Sequence, residues 1–379
     1  MKLFLLVSLM LPSFVMAYPK FVGHGYNNCM VCHYNSQGNG PLTDYGRALG
    51  ASEIAGKLFR PGKTDEEVGK SSNFLWQDKP LPLGIRPSIN YRGLLQNGDF
   101  RSGSREDADF INMQMSANVA VKINNEDQFV LVGELSYNPK EDQDKDFRSR
   151  EYYLRFMPNK NIVLYGGLMD KVYGIRFENH YLYSRSFLRL SHSDQSHGLI
   201  AAYQNDFLEI TGQYFLGNLH IDGETEQTGF SSKFIYKPNA FSRYGFSALL
   251  SDSKFRDLMM ASFHGEIGFG HGGSLTFEFG QKWDTTLVGD TQKLFSRYFS
   301  FQGTIRPMRG LYVYQTFEYF KQDNDSESYV MRLGPGVQWF IDQGLELRFD
   351  FLNARSLNAP SGDQFNDQWE FLSQVHVWL

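Results

Sequence analysis

In Leu345-Glu346-Leu347-Arg348-Phe349-Asp350-Phe351 every odd residue is apolar and every even one is charged. A period of two is that of a β-strand with one face in an apolar medium and the other in water. Such a strand needs a wet lumen behind it. The pattern recurs in Leu275, Phe277 and Phe279 against Thr276 and Glu278, and in Met331, Leu333, Val337, Trp339 and Ile341 against Arg332, Gln338, Gly334 and Gly336. Near residues 108–122 it places Ile111, Met113, Met115, Ala117, Val119 and Val121 outward, and Asn112, Gln114, Ser116 and Asn118 inward.

Segments of this kind lie near 84–95, 108–122, 127–138, 147–157, 160–168, 196–204, 206–216, 227–237, 242–252, 256–269, 273–283, 293–306, 310–321, 328–341, 344–354 and 366–379. The expectation is an all-β, antiparallel transmembrane β-barrel of about 16 strands, within a range of roughly 14 to 18, the even count of bacterial single-chain barrels. Pro335 lacks an N–H donor, and a closed barrel has no edge to accommodate it, so a bulge is expected there.

The connections alternate in length. Asn124-Asn125-Glu126, Pro158-Asn159, Gln204-Asn205, Pro238-Asn239, Gly270-His271-Gly272, Pro307-Met308-Arg309 and Asp342-Gln343 read as tight turns. Between them fall longer polar loops at 96–107, 139–146, 169–195, 217–226, 252–256, 284–292, 322–327 and 355–365. Short turns on the periplasmic side and long loops outside are the asymmetry of outer-membrane barrels. The last strand carries Phe371, Val375, Val377 and Leu379 on one face, with the aromatic Trp378 penultimate. The first strand then starts at the periplasmic side, and whatever precedes it enters from there.

Composition agrees with a barrel. Aromatic residues make up 16% of the 379 positions, there are 36 glycines and 13 prolines, and mean hydropathy is -0.40, far too polar for a helical membrane protein. Barrel strands need apolar side chains on the outer face alone. A net charge of -5 gives no reason to expect nucleic-acid binding. At the start, Lys2, the apolar run Leu3 to Val15 and Val15-Met16-Ala17 read as a signal peptide over 1–17, with the mature chain beginning near Tyr18.

The two cysteines stand in Asn28-Cys29-Met30-Val31-Cys32-His33. This is the C-x-x-C-H spacing of covalent haem attachment: two thiols for the vinyl groups and an adjacent imidazole, His33, as proximal iron ligand. One haem c is therefore expected, on a segment spanning 18–83 that lies at the periplasmic side or plugs the lumen, with the barrel over 84–379. Zinc would want a second ligand pair. A disulfide or a dithiol switch remains the alternative use of the cysteines. His24 is a candidate for the opposite face of the iron; Met30 sits inside the attachment loop, and Met113 and Met115 point away from the lumen. Pro41 can start a helix. Leu42, Tyr45, Leu49, Ile54 and Leu58 recur at roughly helical spacing, so a small helix could lay an apolar side on a porphyrin. A segment this short cannot bury a haem unaided and needs the barrel wall as its other half.

A signal peptide, one haem motif in a short leader, and a barrel over the remainder resemble the cytochrome-porin fusions of bacterial outer membranes, which include single-haem iron-oxidising cytochromes. The run Cys29-Met30-Val31-Cys32-His33, followed by Gly38-Asn39-Gly40-Pro41-Leu42-Thr43-Asp44-Tyr45-Gly46-Arg47-Ala48-Leu49-Gly50, is similar to the haem segment of small porin-linked cytochromes. The resemblance implies electron transfer across the outer membrane, with periplasmic cytochromes or other electron carriers as partners, outer-membrane lipid around the barrel, and a small solute or metal ion as donor.

Residues 169–195 are too many for a simple reversal and too aromatic for disorder. They contain Lys171, Arg176, His180, Arg185, Arg189 and His192 among Tyr173, Tyr181, Tyr183 and Phe187. Either the loop folds inward, so that Arg176, Arg185 and Arg189 constrict the lumen and face propionates or an anionic solute, or it packs outside on its neighbours. His264, Glu266, Arg332 and Arg348 are expected to line the lumen. No hydrolytic constellation, phosphate-binding glycine loop or metal-binding helix is present. Three functions stay open: an electron conduit, a solute porin with the haem segment as plug or sensor, and a plain porin with a cysteine-pair disulfide.

Overall fold

The computed structural model describes residues 19–38, 40–82, 84–98, 109–124, 127–137, 147–177, 182–190, 194–219, 227–287, 292–357 and 368–379. The expected signal peptide, Asn39, Asn125, Glu126, His180, Tyr181 and His192 lie outside them.

The strands are β1 Ile85–Gly98, β2 Asp109–Lys122, β3 Phe129–Tyr137, β4 in two pieces, Phe147–Arg148 and Tyr152–Asn159, β5 Ile162–Met169, β6 Ser196–Gln204, β7 Leu208–Phe215, β8 Thr228–Asn239, β9 Ser242–Ser253, β10 Arg256–Gly270, β11 Gly273–Thr286, β12 Gln292–Met308, β13 Leu311–Lys321, β14 Tyr329–Asp342, β15 Leu345–Leu357 and β16 Gln368–Trp378. Both pieces of β4 pair with β3, so they make one wall strand. Each strand pairs antiparallel with its neighbours in sequence. β1 pairs also with β16, from Asn90 opposite Trp378 to Gly98 opposite Glu370, and this closes a barrel of 16 strands. Among the described residues no helix is long and apolar enough to cross a membrane.

Side-chain alternation is that of a barrel turned inside out. Along β8, Phe230, Phe234 and Tyr236 are 61%, 42% and 48% exposed, whereas Ser231, Lys233 and Lys237 are 4%, 7% and 1% exposed. Closure satisfies every ladder group without an edge, and the polar face is left to the interior. There Arg332 pairs with Glu318 at 2.6 Å, Arg348 with Asp350 at 2.9 Å, and Arg150 with Glu134 at 3.1 Å. His264, Glu266, Arg332 and Arg348 are all buried on this inner side.

Three expectations are corrected. The register of β2 against β1 shifts between Arg92 and Gly93, and this bulge reverses the parity of the residues before Gln114. Asn112 thus reaches the outer face, where the Tyr91 hydroxyl donates to its Oδ1 at 2.9 Å, and Met113 packs inward on Leu94, Leu352 and Leu372. Pro335 makes no bulge: Leu333 faces Asn353 and Gly336 faces Asp350 in one continuous register, and the missing donor falls in the unpaired step at Gly334 and Pro335. The connection at 252–256 is a two-residue hairpin, with Ser253 opposite Arg256, and not a long loop.

The amino-terminal segment lies across the short-turn end of the barrel. It contains 3-10 helices at Pro19–His24 and Cys29–Val31, helix α1 Asp44–Leu49 running into a π-turn Gly50–Ile54, and helix α2 Asp65–Lys70. Thr43 caps α1 by accepting from the Gly46 N–H, and Thr64 with Glu67 forms a capping box on α2. Its apolar side is Leu49, Ala51, Ile54 and Ala55, all buried; Tyr45 and Leu58, expected on that face, are 50% and 57% exposed, Leu58 because the helical turns have ended by Ala55, whose backbone is extended.

Wall strands hold the segment on all sides. Arg47 donates to the Pro87 carbonyl and Asp44 accepts from Arg86 and Lys122. The Tyr165 hydroxyl donates to the Tyr34 carbonyl, Lys233 to Gln37, and Asn27 to the Asn239 carbonyl. Arg306 and Arg309 donate to the carbonyls of Glu53 and Ala55, and Arg60 pairs with Asp342. At Gly23 the fit leaves no room for a side chain, since a Cβ would overlap the Gly273 carbonyl.

Candidate functional site

The Cys29–Val31 turn is capped by Asn28, whose Oδ1 accepts the Met30 N–H at 3.0 Å. The N–H groups of Cys32 and His33 both donate to the Cys29 carbonyl, which winds the motif into one tight coil. Three further contacts fix it in the plug. Thr43 donates its hydroxyl to the Val31 carbonyl at 2.9 Å, His33 bridges Leu42, and Gly46 of α1 sits so close to the Cys32 backbone that a Cβ there would overlap it. Beyond the motif, Tyr34 is fully buried against Tyr153 and Tyr165 of the wall, and Asn35 donates to Glu151.

Cys29, Cys32 and His33 line a cavity of about 320 Å³ between the plug and the wall, within the size range of cofactor and small-molecule sites. Its lining includes the apolar residues Phe21, Ile54, Ala55, Phe340 and Trp378. It is also cationic: Arg92, Arg150, Arg176, Arg185, Lys233 and Arg243 outnumber Glu134, Glu151 and Glu266. The two cysteines are not bonded to each other. Burial pushes the Cys29 thiol up against the opposing pull of Arg243, whose Nη1 stands 3.9 Å from Sγ, and burial with the neighbouring Cys29 raises the Cys32 thiol to about 12. Both shifts run opposite to the depressed thiol pKa values to which redox-active cysteine pairs owe their reactivity.

The long loop folds into the lumen. The Val172 N–H donates to Gln213 at 2.7 Å, the Gly174 N–H to Ser247 at 3.0 Å, the Ile175 N–H to Glu278 at 2.9 Å, and the Tyr183 N–H to Glu318 at 2.7 Å. Those acceptors sit on β7, β9, β11 and β13, so the loop, with helix α3 Tyr183–Ser186, crosses the interior. Arg176, paired with Asp170, and Arg185 line the cavity. Arg189 does not: it is exposed, with a left-handed φ of 56°. His24 is also apart from the cavity lining, its Nε2 3.0 Å from the Tyr312 hydroxyl. Burial, with Arg306 and His271 nearby, lowers its pKa to about 3.

Sequence reading did not single out Arg92, Arg150, Lys233, Arg243 or His376, which share the cavity with the motif. The signal was present for His376, which lies at the opposite parity to Val375 and Val377. It looks inward with Trp378, and this explains why the penultimate aromatic is not on the outer face: it packs on Phe340 beside the plug.

No family model matches this sequence, and no curated protein matches it. Solved structures do. A loop-deletion form of OmpT, an outer membrane protein of Vibrio cholerae, superposes with a TM-score of 0.62 at 12% identity, covering 78% of this chain and 99% of that one. The anion-selective porin from Comamonas acidovorans gives 0.59 at 7% identity, covering 78% and 99%. OprB of Pseudomonas putida gives 0.56 at 8% identity, covering 78% and 94%. The chain has the 16-strand, porin-like β-barrel fold of these outer-membrane proteins.

Proposed function

We propose that this chain is an outer-membrane channel of the porin type, entered from outside past the infolded loop and narrowed at its periplasmic end by its own amino-terminal segment. The observation that carries this reading is the closed wall with an apolar exterior and a charged, enclosed interior. The excess of arginine around the cavity favours small anions as permeants. Removing residues 19–76 should leave a folded barrel whose single-channel conductance in planar bilayers is several-fold higher; equal conductance would contradict the plug.

A second reading rests on one specific observation, that Cys29, Cys32 and His33 are wound in a single coil and face an amphipathic cavity. We propose that they hold one haem c, making the protein an electron carrier at the outer membrane with periplasmic cytochromes or other electron carriers as partners. The residues fit such a group. Each Cys thiol would add across one vinyl C=C, S–H for C–S and C–H, with nothing oxidised. The His33 imidazole would bind the iron, Ile54, Ala55 and Phe340 would keep water from the macrocycle, and arginines of the cavity lining would balance two propionates. When bound, the haem supplies one-electron iron chemistry. Expression with the c-type maturation machinery should give a red protein with a c-type pyridine haemochrome, lost in Cys29→Ala/Cys32→Ala. In liposomes, reduction of trapped cytochrome by an external reductant separates a conduit from a channel that passes solutes alone.

A further inference from the structure

We propose that His376, on the closing strand of the barrel, is the sixth ligand of the haem iron, so that plug and wall each contribute one imidazole; this rests on the haem reading above. Four observations converge on it. His376 lines the same cavity as Cys29, Cys32 and His33. Its Nδ1 is 3.1 Å from Glu346 Oε2, and the other oxygen of that carboxylate accepts from Gln338 Nε2, so the ring is held by a buried, oriented network. A histidine that donates Nδ1–H to a carboxylate has its Nε2 lone pair available and made more basic, the arrangement in which imidazole binds metals. Beside it Trp378, packed with Leu42, Ile54 and Phe340 in one cluster that includes Cys32, supplies an apolar surface for a macrocycle.

The other described histidines are less suited. The His24 ring bonds Tyr312 outside the cavity lining. Both nitrogens of His197 are engaged, Nε2 with the Tyr152 hydroxyl and Nδ1 with the Leu219 N–H. His264 lines the cavity, but its Nε2 is 3.3 Å from the Ser247 hydroxyl, which itself accepts the Gly174 N–H of the infolded loop. His271 lies in the turn between β10 and β11, outside the cavity lining.

The test uses the full chain, matured with haem and purified in detergent. The wild type should be six-coordinate and low-spin in both redox states, with a ferrous form that does not take up carbon monoxide. His376→Ala should lose the low-spin signal and bind carbon monoxide, and added imidazole should restore the low-spin spectrum, which shows that the variant is folded and lacks a ligand alone. His264→Ala should match the wild type. Glu346→Gln should stay low-spin with a raised midpoint potential, because a neutral amide makes the imidazole a weaker donor. A high-spin, carbon-monoxide-binding wild type, or a His376→Ala spectrum equal to that of the wild type, overturns the assignment while leaving the haem in place. Absence of a c-type haemochrome from the wild type overturns the haem reading together with it.

Discussion

The wall and the plug obey different rules. Each wall strand pairs with two neighbours and presents one face to lipid, so its conformation follows from local alternation and closure. The plug has no core of its own. Phe21, Tyr26, Leu49 and Ile54 pack with Tyr312 and Phe340 of the wall, and Tyr34 packs with Tyr153 and Tyr165. Its helices are six residues each, too short to stand alone in water. The wall is therefore a fold, and the plug is a segment folded by what surrounds it.

Perturbations should respect that division. Removing the Glu318 carboxylate with Glu318→Ala takes an ion-pair partner from Arg332 and an acceptor from the Tyr183 N–H. The expected cost is at most about 3 kcal/mol, reduced by lumenal water, and it should appear as a lower barrel unfolding temperature in heat-modifiability gels with a looser infolded loop. A plug that became protease-sensitive to the same degree would break the distinction. Gly46→Val forces a side chain into the Cys32 backbone. Overpacking of this kind costs about 1–3 kcal/mol, and limited proteolysis should cut residues 19–76 faster while the barrel's unfolding temperature stays fixed.

The smallest effect is that of pH on the plug seat. His24 is held neutral, with a pKa of about 3 against an ordinary 6.5. The folded value lies below the unfolded one, so the His24 contribution is complete above pH 6.5 and is lost progressively as pH falls from there toward 3. Proteolysis of the plug should accelerate through that window in the wild type and less steeply in His24→Gln, with the barrel unchanged in both.

How much the sequence reveals follows the same line. All sixteen wall strands are legible because lipid on one side and water on the other impose the period of two. Met113 is misplaced because one extra residue in a bulge inverts every side chain beyond it, and no composition rule marks that residue. Leu58 is misplaced because the helical turns end at Ala55, whose backbone is extended, and helical spacing has no meaning beyond it. At the site, Cys29, Cys32 and His33 announce themselves by spacing. Arg92, Arg150 and Arg243 do not, since an inward charge is ordinary in any such wall and only the folded loop and plug make these three neighbours of one cavity. Arg189 carries the same charge as Arg185, yet it lies past the end of α3 in a left-handed conformation of its own and is not part of the cavity lining.

The attachments of the amino-terminal segment have a mechanical consequence. They fall on strands that stand opposite each other around the circumference: Lys122 on β2 and Gly268 on β10, Tyr165 on β5 and Tyr312 on β13. A part tied across a diameter has no single hinge about which to swing. In the channel proposed above, solutes would pass in the gaps beside the segment, and the width of those gaps, not the girth of the cylinder, would set the size at which they are sieved.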